Sequence, residues 1–225
     1  MSAILTLENI NYGYIDGGYR REILKNLSYQ FEEGTFYTIL GPSGSGKTTL
    51  LSIMAGLDKQ ESGKIYYYNE DIETKGLYDY RRNKVGVVFQ SYNLINYLTG
   101  LENILLSMTE TDNELPKNRK ELAYALLNLV GIVNTKADRL VTKLSGGEQQ
   151  RIAIARAIAS NVDLIFADEP TGNLDTATEQ EIIKLFQMLA EKYGKTIIVV
   201  THSNEVSQLS DKRILLKNGI LNDIA

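Results

Sequence analysis

The residues from Gly41 to Thr49, GPSGSGKTT, have the types and spacing of a phosphate-binding loop, G-x-x-x-x-G-K-[ST]. Glycines let the backbone curl so that successive N–H groups point inward at an anion. Lys47 would place its charge on the β- and γ-phosphate oxygens of a nucleotide, and the Thr48 hydroxyl can ligate Mg²⁺. A β-rich run, TFYTIL, precedes the loop and KTTLLSIMAG follows it. The sequence therefore predicts a strand, a phosphate loop and a helix in that order.

Polar side chains follow three other apolar runs, LIFADEP, VGVVFQ and TIIVV. Ligands of parallel sheets gather at the carboxyl ends of the strands. At such an edge Asp168 can hold Mg²⁺ through its water shell, and Glu169 can orient or deprotonate a water molecule. Gln90 can reach both Mg²⁺ and water, and His202, the only histidine of the chain, can donate to a γ-phosphate oxygen.

Each of these polar positions also has a plainer interpretation. The acidic pair could form a solvated turn before Pro170. His202 could cap a strand or be satisfied in the core, and Gln90 could be a surface residue at the start of a loop. The predicted phosphate loop favours the functional interpretation of the acidic pair, because both features belong to the same chemistry.

A second candidate anion site is LSGGEQQR, from Leu144 to Arg151. It places the Ser145 hydroxyl and two glycines, Gly146 and Gly147, in front of a predicted helix. A hydroxyl and the N–H groups of a helix start can all donate to phosphate oxygens. The plainer alternative is an ordinary glycine-rich helix cap. A second anion site is unexpected in one small domain that already has a phosphate-binding loop.

Composition limits the possible classes of protein. The chain has 225 residues, 43% hydrophobic and 23% charged, and no cysteine, which excludes disulfides and thiolate chemistry. The net charge is −4 and no Lys/Arg block stands out, so no nucleic-acid partner is expected. The N-terminal stretch MSAILTLENINYGY lacks the pattern of a signal peptide, and apolar runs such as IIVV are too short to span a bilayer. Any membrane role is therefore expected to come through a partner.

The order of predicted strands indicates an α/β fold with a parallel sheet. The first forty residues are interpreted as short strands with turns, including LTLENI, the turn IDGG and TFYTIL, and GKIYYY and KVGVVF follow. DLIFA and TIIVV are continuously apolar, as expected of parallel strands buried on both faces. The segment RILLKNGILND carries Asn218-Gly219 between apolar runs and predicts a hairpin.

Three segments have helical periodicity, and two of them fall in the middle of the chain. ATEQEIIKLFQMLAEKYG predicts an amphipathic helix closed by Gly194. EQQRIAIARAIASN and NRKELAYALLNLVGI each place apolar residues along one predicted face. The helical middle, roughly residues 92–160, is therefore predicted to be a subdomain inserted between two strands. The predicted face of EQQRIAIARAIASN consists of Ile152, Ala155, Ile158 and Ala159. That of NRKELAYALLNLVGI consists of Leu122, Ala125, Leu126, Leu129 and Val130.

Taken together, the motifs resemble those of the ATP-binding cassette (ABC) ATPase family over nearly the whole chain. They are GPSGSGKTT (Walker A), VVFQ (Q-loop), LSGGEQQR (signature), LIFADEP (Walker B), GNLD (D-loop) and TH (H-loop). The resemblance implies that residues 1–225 form one ABC nucleotide-binding domain. It would have a P-loop NTPase core with a parallel sheet, an N-terminal antiparallel β subdomain and an inserted α-helical subdomain.

The resemblance implies that this domain binds ATP and Mg²⁺ and hydrolyses ATP. Lys47 would act on the β- and γ-phosphates, Glu169 as general base, His202 as the γ-phosphate switch and Gln90 as the sensor of Mg²⁺. Thr48 and Gln90 would bind Mg²⁺, and Asp168 would bind it through a water molecule. Adenine would stack on Tyr14, just before the turn IDGG, with Tyr12 as the alternative. The Walker A residues that would bind the nucleotide are Gly41, Pro42, Ser43, Gly44, Ser45, Gly46, Lys47, Thr48 and Thr49.

The family also explains the second anion site. Its nucleotide-binding domains pack head to tail, and the signature of one faces the phosphate loop of the other across ATP. Ser145, Gly146 and Gly147 would therefore contact the nucleotide of the opposite subunit, and Asp175 would bridge the two sites. The resemblance thus implies an ATP-dependent homodimer with two composite sites, both competent for hydrolysis.

Two segments, RRNKVGVVFQSYNLINYLTGLENILL and FADEPTGNLD, resemble the branch of the family for lipoprotein release and for macrolide or antimicrobial-peptide export or resistance. The implied role is a peripheral subunit at the cytoplasmic face of the membrane that energises a separate integral permease. The permease would dock near Gln90 and the loop Ser91–Leu98. Tyr92 and Tyr97 would contact it or, alternatively, pack within the helical subdomain. The alternative function is a regulatory ATPase acting through a membrane partner on cell-wall hydrolases or signalling.

Overall fold

The structure, a computed structural model, describes residues 2–224 as two β-sheets with helices around them. The strands are β1 (Ala3–Asp16), β2 (Tyr19–Glu32), β3 (Phe36–Leu40), β4 (Ser62–Tyr67), β5 (Glu70–Asp71), β6 (Val85–Phe89), β7 (Leu164–Asp168), β8 (Thr196–Val200), β9 (Lys212–Lys217) and β10 (Ile220–Ile224). The helices are α1 (Lys47–Met54), α2 (Leu77–Asn83), α3 (Gly100–Glu110), α4 (Arg119–Leu129), α5 (Asn134–Ala137), α6 (Gly146–Ile158), α7 (Thr176–Tyr193) and α8 (Asn204–Gln208), with a 3-10 turn at Val141–Lys143.

The N-terminal sheet is antiparallel and has the order β2-β1-β4-β5. β1 and β2 form one long hairpin that turns at Gly17 and Gly18, both with positive φ. The prediction of short strands in this region was wrong, since each strand has 14 residues. Register shifts, for example between Leu7 and Ile10, break the two-residue alternation, and the sequence pattern is interrupted for that reason.

The second sheet has the order β10-β9-β3-β8-β7-β6 and is parallel from β9 to β6, which confirms the predicted parallel core. Alternate residues of β8 enter two different cores: Ile197 and Val199 face one, Ile198 and Val200 the other. Burial on both faces accounts for the continuously apolar strands. β9 and β10 form the predicted hairpin, which turns at Asn218 (φ 56°) and Gly219 (φ 84°).

The helices between β6 and β7 in the chain are α3 to α6. The predicted face of α4 was partly right: Val130 is buried and Leu122, Leu126 and Leu129 pack against the core. Ala125, however, is exposed, and the prediction missed the buried Ala123 and Leu127. α6 is buried on nearly every side, because α3, α4, α7 and β6 all pack against it, so its predicted single face was too narrow. α7 ends at Gly194, which is left-handed with φ 62°, as predicted. Within the described residues, every helix is too short or too polar to cross a membrane.

The carboxyl ends of the central strands lie level with one another. The register pairs Ile39 with Val200, Val200 with Asp168, and Asp168 with Phe89. The phosphate loop follows β3, and Gln90, Glu169 and Thr201 directly follow β6, β7 and β8. Segments far apart in the chain therefore meet at one edge of the sheet.

Candidate active site

The loop between β3 and α1 is built so that its backbone can approach a ligand closely. Gly46 has φ 96°, and a Cβ at this position would lie 2.4 Å from Cγ2 of Ile23 on β2. A side chain at Gly46 is thus excluded by both conformation and space. Gly44, with φ 74°, has open space where its Cβ would be. Close packing against β2 fixes one side of the loop, and the side at Gly44 is open to a ligand.

The same loop concentrates hydrogen-bond donors. The Nζ of Lys47 folds back and donates to the carbonyls of Gly41 (2.9 Å) and Pro42 (3.3 Å). α1 begins at Lys47, so the N–H groups of its first turn, through Thr49, have no acceptor within the helix. The Oγ of Ser45 is buried without a hydrogen-bond partner. These groups fit an anion with several oxygens, such as a nucleotide phosphate chain.

A cleft of about 290 Å³ opens in front of the loop and brings several predicted residues together. Tyr14, 43% exposed, lines it with loop residues Ser43 and Gly44, whereas the hydroxyl of Tyr12 donates to Asp58 at 2.7 Å. The structure thus places Tyr14, rather than the alternative Tyr12, beside the phosphate loop. The full lining is Tyr14, Ile23, Ser43, Gly44, Gly46, Lys47, Thr48, Thr49 and Glu169.

Thr48, which lines the cleft, is paired with Asp168 at the end of β7. The Thr48 hydroxyl donates to Oδ1 of Asp168 at 3.1 Å. Burial raises the pKa of Asp168, the Thr48 hydrogen bond opposes this shift, and the neighbouring Glu169 adds to it. A hydroxyl and a carboxylate are oxygen ligands of the kind that Mg²⁺ prefers. Mg²⁺ usually keeps several waters and is bound through one or two carboxylates together with substrate phosphates, so a site with few protein ligands suits it.

Glu169 is held in a strained and crowded position after β7. Its φ of 44° lies in the left-handed region, which is costly for a side-chain-bearing residue and is concentrated at functional sites. Oε2 accepts from the Thr201 hydroxyl at 3.0 Å, and Oε1 lies 2.9 Å from Nδ1 of His202. The His202 side chain is 75% exposed, whereas that of Glu169 is 18% exposed. Sequence reasoning did not predict a role for Thr201, although TH was noted as a motif.

Gln90 is joined to the segment that follows Glu169. Its Nε2 donates to Oδ1 of Asn173 at 3.3 Å, and Nδ2 of Asn173 donates to the Gln90 carbonyl at 3.1 Å. A Cβ at Gly172 would lie 2.8 Å from the Gln90 Nε2, so the amide lies directly over this glycine. Asn173 was missed by sequence reasoning, because no spacing rule links it to Gln90, which lies 83 residues away in the chain.

The signature residues form the start of α6. Ser145 is the N-cap and accepts from the Glu148 N–H, while Glu148 accepts from the Ser145 N–H, which makes a complete capping box. Lys136 donates to Glu148. Asp175 is the N-cap of α7 and accepts from the Thr178 N–H and hydroxyl, which lower its pKa. Within the described residues, the lining of the P-loop cleft includes none of Ser145, Gly146, Gly147 and Asp175.

Removing the Glu148 side chain should destabilise the protein in a pH-dependent way. The Lys136 ion pair and the Ser145 N–H hold the pKa of Glu148 below its usual value of 4.5. Ionised Glu148 therefore stabilises the fold above pH 4.5, and this stabilisation is lost as the pH falls through the lowered value. Glu148→Ala should lower Tm by about 2–4 °C at pH 7, corresponding to about 1 kcal/mol. The gap in Tm between the variant and the wild type should narrow as the pH falls below 4.5 in calorimetric melts.

Glu191→Ala serves as the matched control for this prediction, because Glu191 is an exposed glutamate near the end of α7. Its free energy of unfolding should stay within about 0.5 kcal/mol of that of the wild type at every pH. A Tm loss in Glu148→Ala that stays constant as the pH falls from 7 to well below 4.5 would show that the capping box does not depend on the carboxylate charge.

A strand, a glycine-rich loop and a helix, with an acidic pair at the end of a neighbouring strand, define a P-loop nucleoside triphosphatase. The ABC transporter family model matches residues 24–172. The chain belongs to this family and is an ATP-binding and ATP-hydrolysing cassette of the ABC type. Its fold is that of an ABC ATPase, as the sequence predicted.

Similar proteins cover the chain almost completely. The uncharacterized ABC transporter ATP-binding protein YclH of Bacillus subtilis is 42% identical over 96% of this chain and 95% of its own length. The macrolide export ATP-binding/permease protein MacB of Syntrophobacter fumaroxidans is 37% identical over 97% of this chain but 31% of its own. The solved dimeric cassette MJ0796 of Methanocaldococcus jannaschii, in a post-hydrolysis state bound to ADP and Pi, has a TM-score of 0.87 at 38% identity and covers 98% of this chain and 99% of its own.

Proposed function

We propose that the chain hydrolyses ATP with Glu169 as the group that orients or deprotonates the attacking water. The observation that carries this proposal is the position of Glu169, which lines the same cleft as Lys47 and Thr48 and is fixed by Thr201 and His202. Thr48, Gln90 and Asp168 would hold Mg²⁺, Asp168 through water. When bound, Mg²⁺ neutralises charge on the β- and γ-phosphates. His202 would contact the γ-phosphate, and Tyr14 would stack on adenine.

We infer that ATP closes two copies of the chain head to tail. Support comes from the cleft, whose described lining contains phosphate-loop residues but none of the signature. Ser145, which is exposed at the start of α6, would act on the partner's nucleotide, together with Gly147 and Asp175. MJ0796, which is similar over the full length, has been solved as a dimer. A C₂ dimer of this chain would then have two composite sites.

We also propose that closure and opening of this dimer drive a separate membrane permease that exports or releases an antimicrobial peptide, a drug or a lipoprotein. The similarity to MacB, named for macrolide export, supports this class of cargo. The similarity to YclH, named an ABC transporter ATP-binding protein, also supports a role in transport. The cassette would then lie at the cytoplasmic face of the membrane.

The proposed docking region is the loop Ser91–Leu98 and the groove beside it. A groove of about 310 Å³ runs between α2, β6, α3 and α6, and Ile95, Leu106 and Arg156 are among its lining residues. The two tyrosines of the loop differ in how far they are buried. Tyr97 is 78% exposed, whereas Tyr92 packs against the core of the helical region, the alternative that the sequence left open. Tyr97 is therefore the better candidate for a permease contact.

A pull-down from native membranes in mild detergent, followed by mass spectrometry, tests the transport proposal. A polytopic permease should co-purify with the wild-type chain, and Tyr97→Ala should reduce its yield severalfold, because a large aromatic contact is lost. Tyr193→Ala, at a 50% exposed tyrosine on α7, is the matched control and should retain the permease. Recovery of soluble proteins alone would refute the transporter role and leave the ATPase chemistry intact.

A further inference from the structure

The two hydrogen bonds between Gln90 and Asn173 determine how both amides are turned. A backbone carbonyl can only accept, so Asn173 must present its NH₂ group to the Gln90 carbonyl. The other end of the Asn173 amide, Oδ1, then faces the Gln90 side chain and requires a donor, which Nε2 supplies. Oε1 of Gln90 is consequently the end that faces away from Asn173. A carboxamide oxygen, and not a nitrogen, is the atom that ligates Mg²⁺.

The surroundings of Asn173 restrict where this pair can sit. A side chain at position 172 would collide with the Gln90 amide, because a Cβ there would lie 2.8 Å from Nε2. The Gly172 N–H donates to the Glu169 carbonyl at 3.1 Å, which ties the turn under the amide to the residue after β7. The orientation of Gln90 is thus set relative to Glu169 by the chain segment between Glu169 and Asn173.

Leu174, the residue after Asn173, lies beside the signature. A Cβ at Gly146 would lie 3.7 Å from Cδ2 of Leu174 and 2.7 Å from the hydroxyl of Tyr92. Arg156, further along α6, donates to the carbonyl of Tyr92 at 3.1 Å. Tyr92 and Leu174 therefore both lie beside Gly146, at the start of α6.

We propose that Asn173 is a positioning residue that turns the Gln90 amide so that Oε1 is presented to Mg²⁺. The proposal deepens the function proposed above and rests on Gln90 binding Mg²⁺. Asn173 itself touches neither nucleotide nor metal in this role; it acts through Gln90. An alanine at this position would leave the Gln90 amide free to rotate, and Oε1 would face the metal for only part of the time.

The test is a double-mutant cycle read by equilibrium binding. The affinity for the non-hydrolysable analogue AMP-PNP is measured by calorimetry with Mg²⁺ and with EDTA, for wild type, Asn173→Ala, Gln90→Ala and the double variant. Asn173→Ala should reduce the Mg²⁺ enhancement of affinity about fivefold, the effect of losing one neutral hydrogen-bonded contact, with unchanged affinity in EDTA. Gln90→Ala should reduce it at least as much, and the double variant should equal Gln90→Ala.

Asn128→Ala is the matched control, because Asn128 is exposed on α4 and its Nδ2 donates to Asn134 at 3.1 Å, away from the site. Its Mg²⁺ enhancement should equal that of the wild type. A further fivefold loss in the double variant, beyond Gln90→Ala, would overturn the positioning role while leaving Gln90 as a metal ligand. An unchanged enhancement in Gln90→Ala would instead refute the metal role of Gln90, and the proposal for Asn173 with it.

Discussion

Glu169→Gln is expected to lower the ATP turnover rate about 10²–10⁴-fold, the range for loss of a positioned general base. Glutamine keeps the shape of the side chain and an oxygen that can accept from the Thr201 hydroxyl, so the fold and the cleft should be retained. It lacks the carboxylate that would take a proton from water. ATP binding should therefore persist, and the ATP-bound dimer should accumulate. Steady-state phosphate release and light scattering with Mg²⁺ and ATP measure the two effects.

Glu191→Gln is the control for this substitution, because Glu191 is an exposed glutamate on α7. It should hydrolyse ATP at the wild-type rate and should not accumulate a dimer. A Glu169→Gln variant with wild-type turnover would show that the general-base assignment is wrong. Loss of turnover together with loss of ATP binding would also contradict the assignment, since a base acts after the nucleotide is bound.

Ser145→Arg is expected to abolish ATP-driven dimerisation while leaving ATP binding by the monomer intact. Ser145 is exposed and does not line the P-loop cleft of its own chain, so a long side chain there should not obstruct that cleft. In the proposed dimer the arginine would occupy the space of the partner's γ-phosphate. Light scattering with ATP in the Glu169→Gln background should detect monomer only. Calorimetry of nucleotide binding should show an affinity unchanged within about twofold, since no direct contact is removed.

This substitution also removes a helix cap, and a matched variant separates the two effects. Thr99 is the N-cap of α3 and forms the same type of capping box, with Glu102. Thr99→Arg and Ser145→Arg should both lower Tm by about 2–4 °C, the effect of losing about 1 kcal/mol from a cap. Only Ser145→Arg should block dimerisation. Dimerisation that persists in Ser145→Arg would refute the trans role of the signature.

The sequence predicted the core of this fold because its signals are local. The phosphate loop, the Asn218-Gly219 turn and the Gly194 helix end each depend on the conformations of a few adjacent residues. Buried parallel strands were recognised from their unbroken apolar composition. The lengths of β1 and β2 were underestimated because bulges interrupt their alternation. The face of α4 was predicted only in part, with Ala125 wrongly included, because several rotations of an apolar helix fit similar periodicity.

The residues that could touch a nucleotide were likewise visible in the sequence, since glycine, lysine, hydroxyl and carboxylate groups occur at fixed spacings after strands. Their partners were not. The choice between Tyr12 and Tyr14 depended on how the bulged β1 passes the phosphate loop. Thr201 was recognisable only once β7 and β8 were neighbours, because its hydroxyl reaches Glu169 across adjacent strand ends.

The sequence by itself determined the class of chemistry and the strands and loops that carry it, because residue type and short spacing fix local backbone geometry and charge. The tertiary structure alone decided the pairing of Gln90 with Asn173, which lie 83 residues apart, and the positions of Tyr92 and Leu174 beside Gly146. These contacts depend on the order of strands in the sheet and on how tightly the helices pack against it. Both are set by burial of apolar surface over the whole chain, which no short stretch of residues encodes.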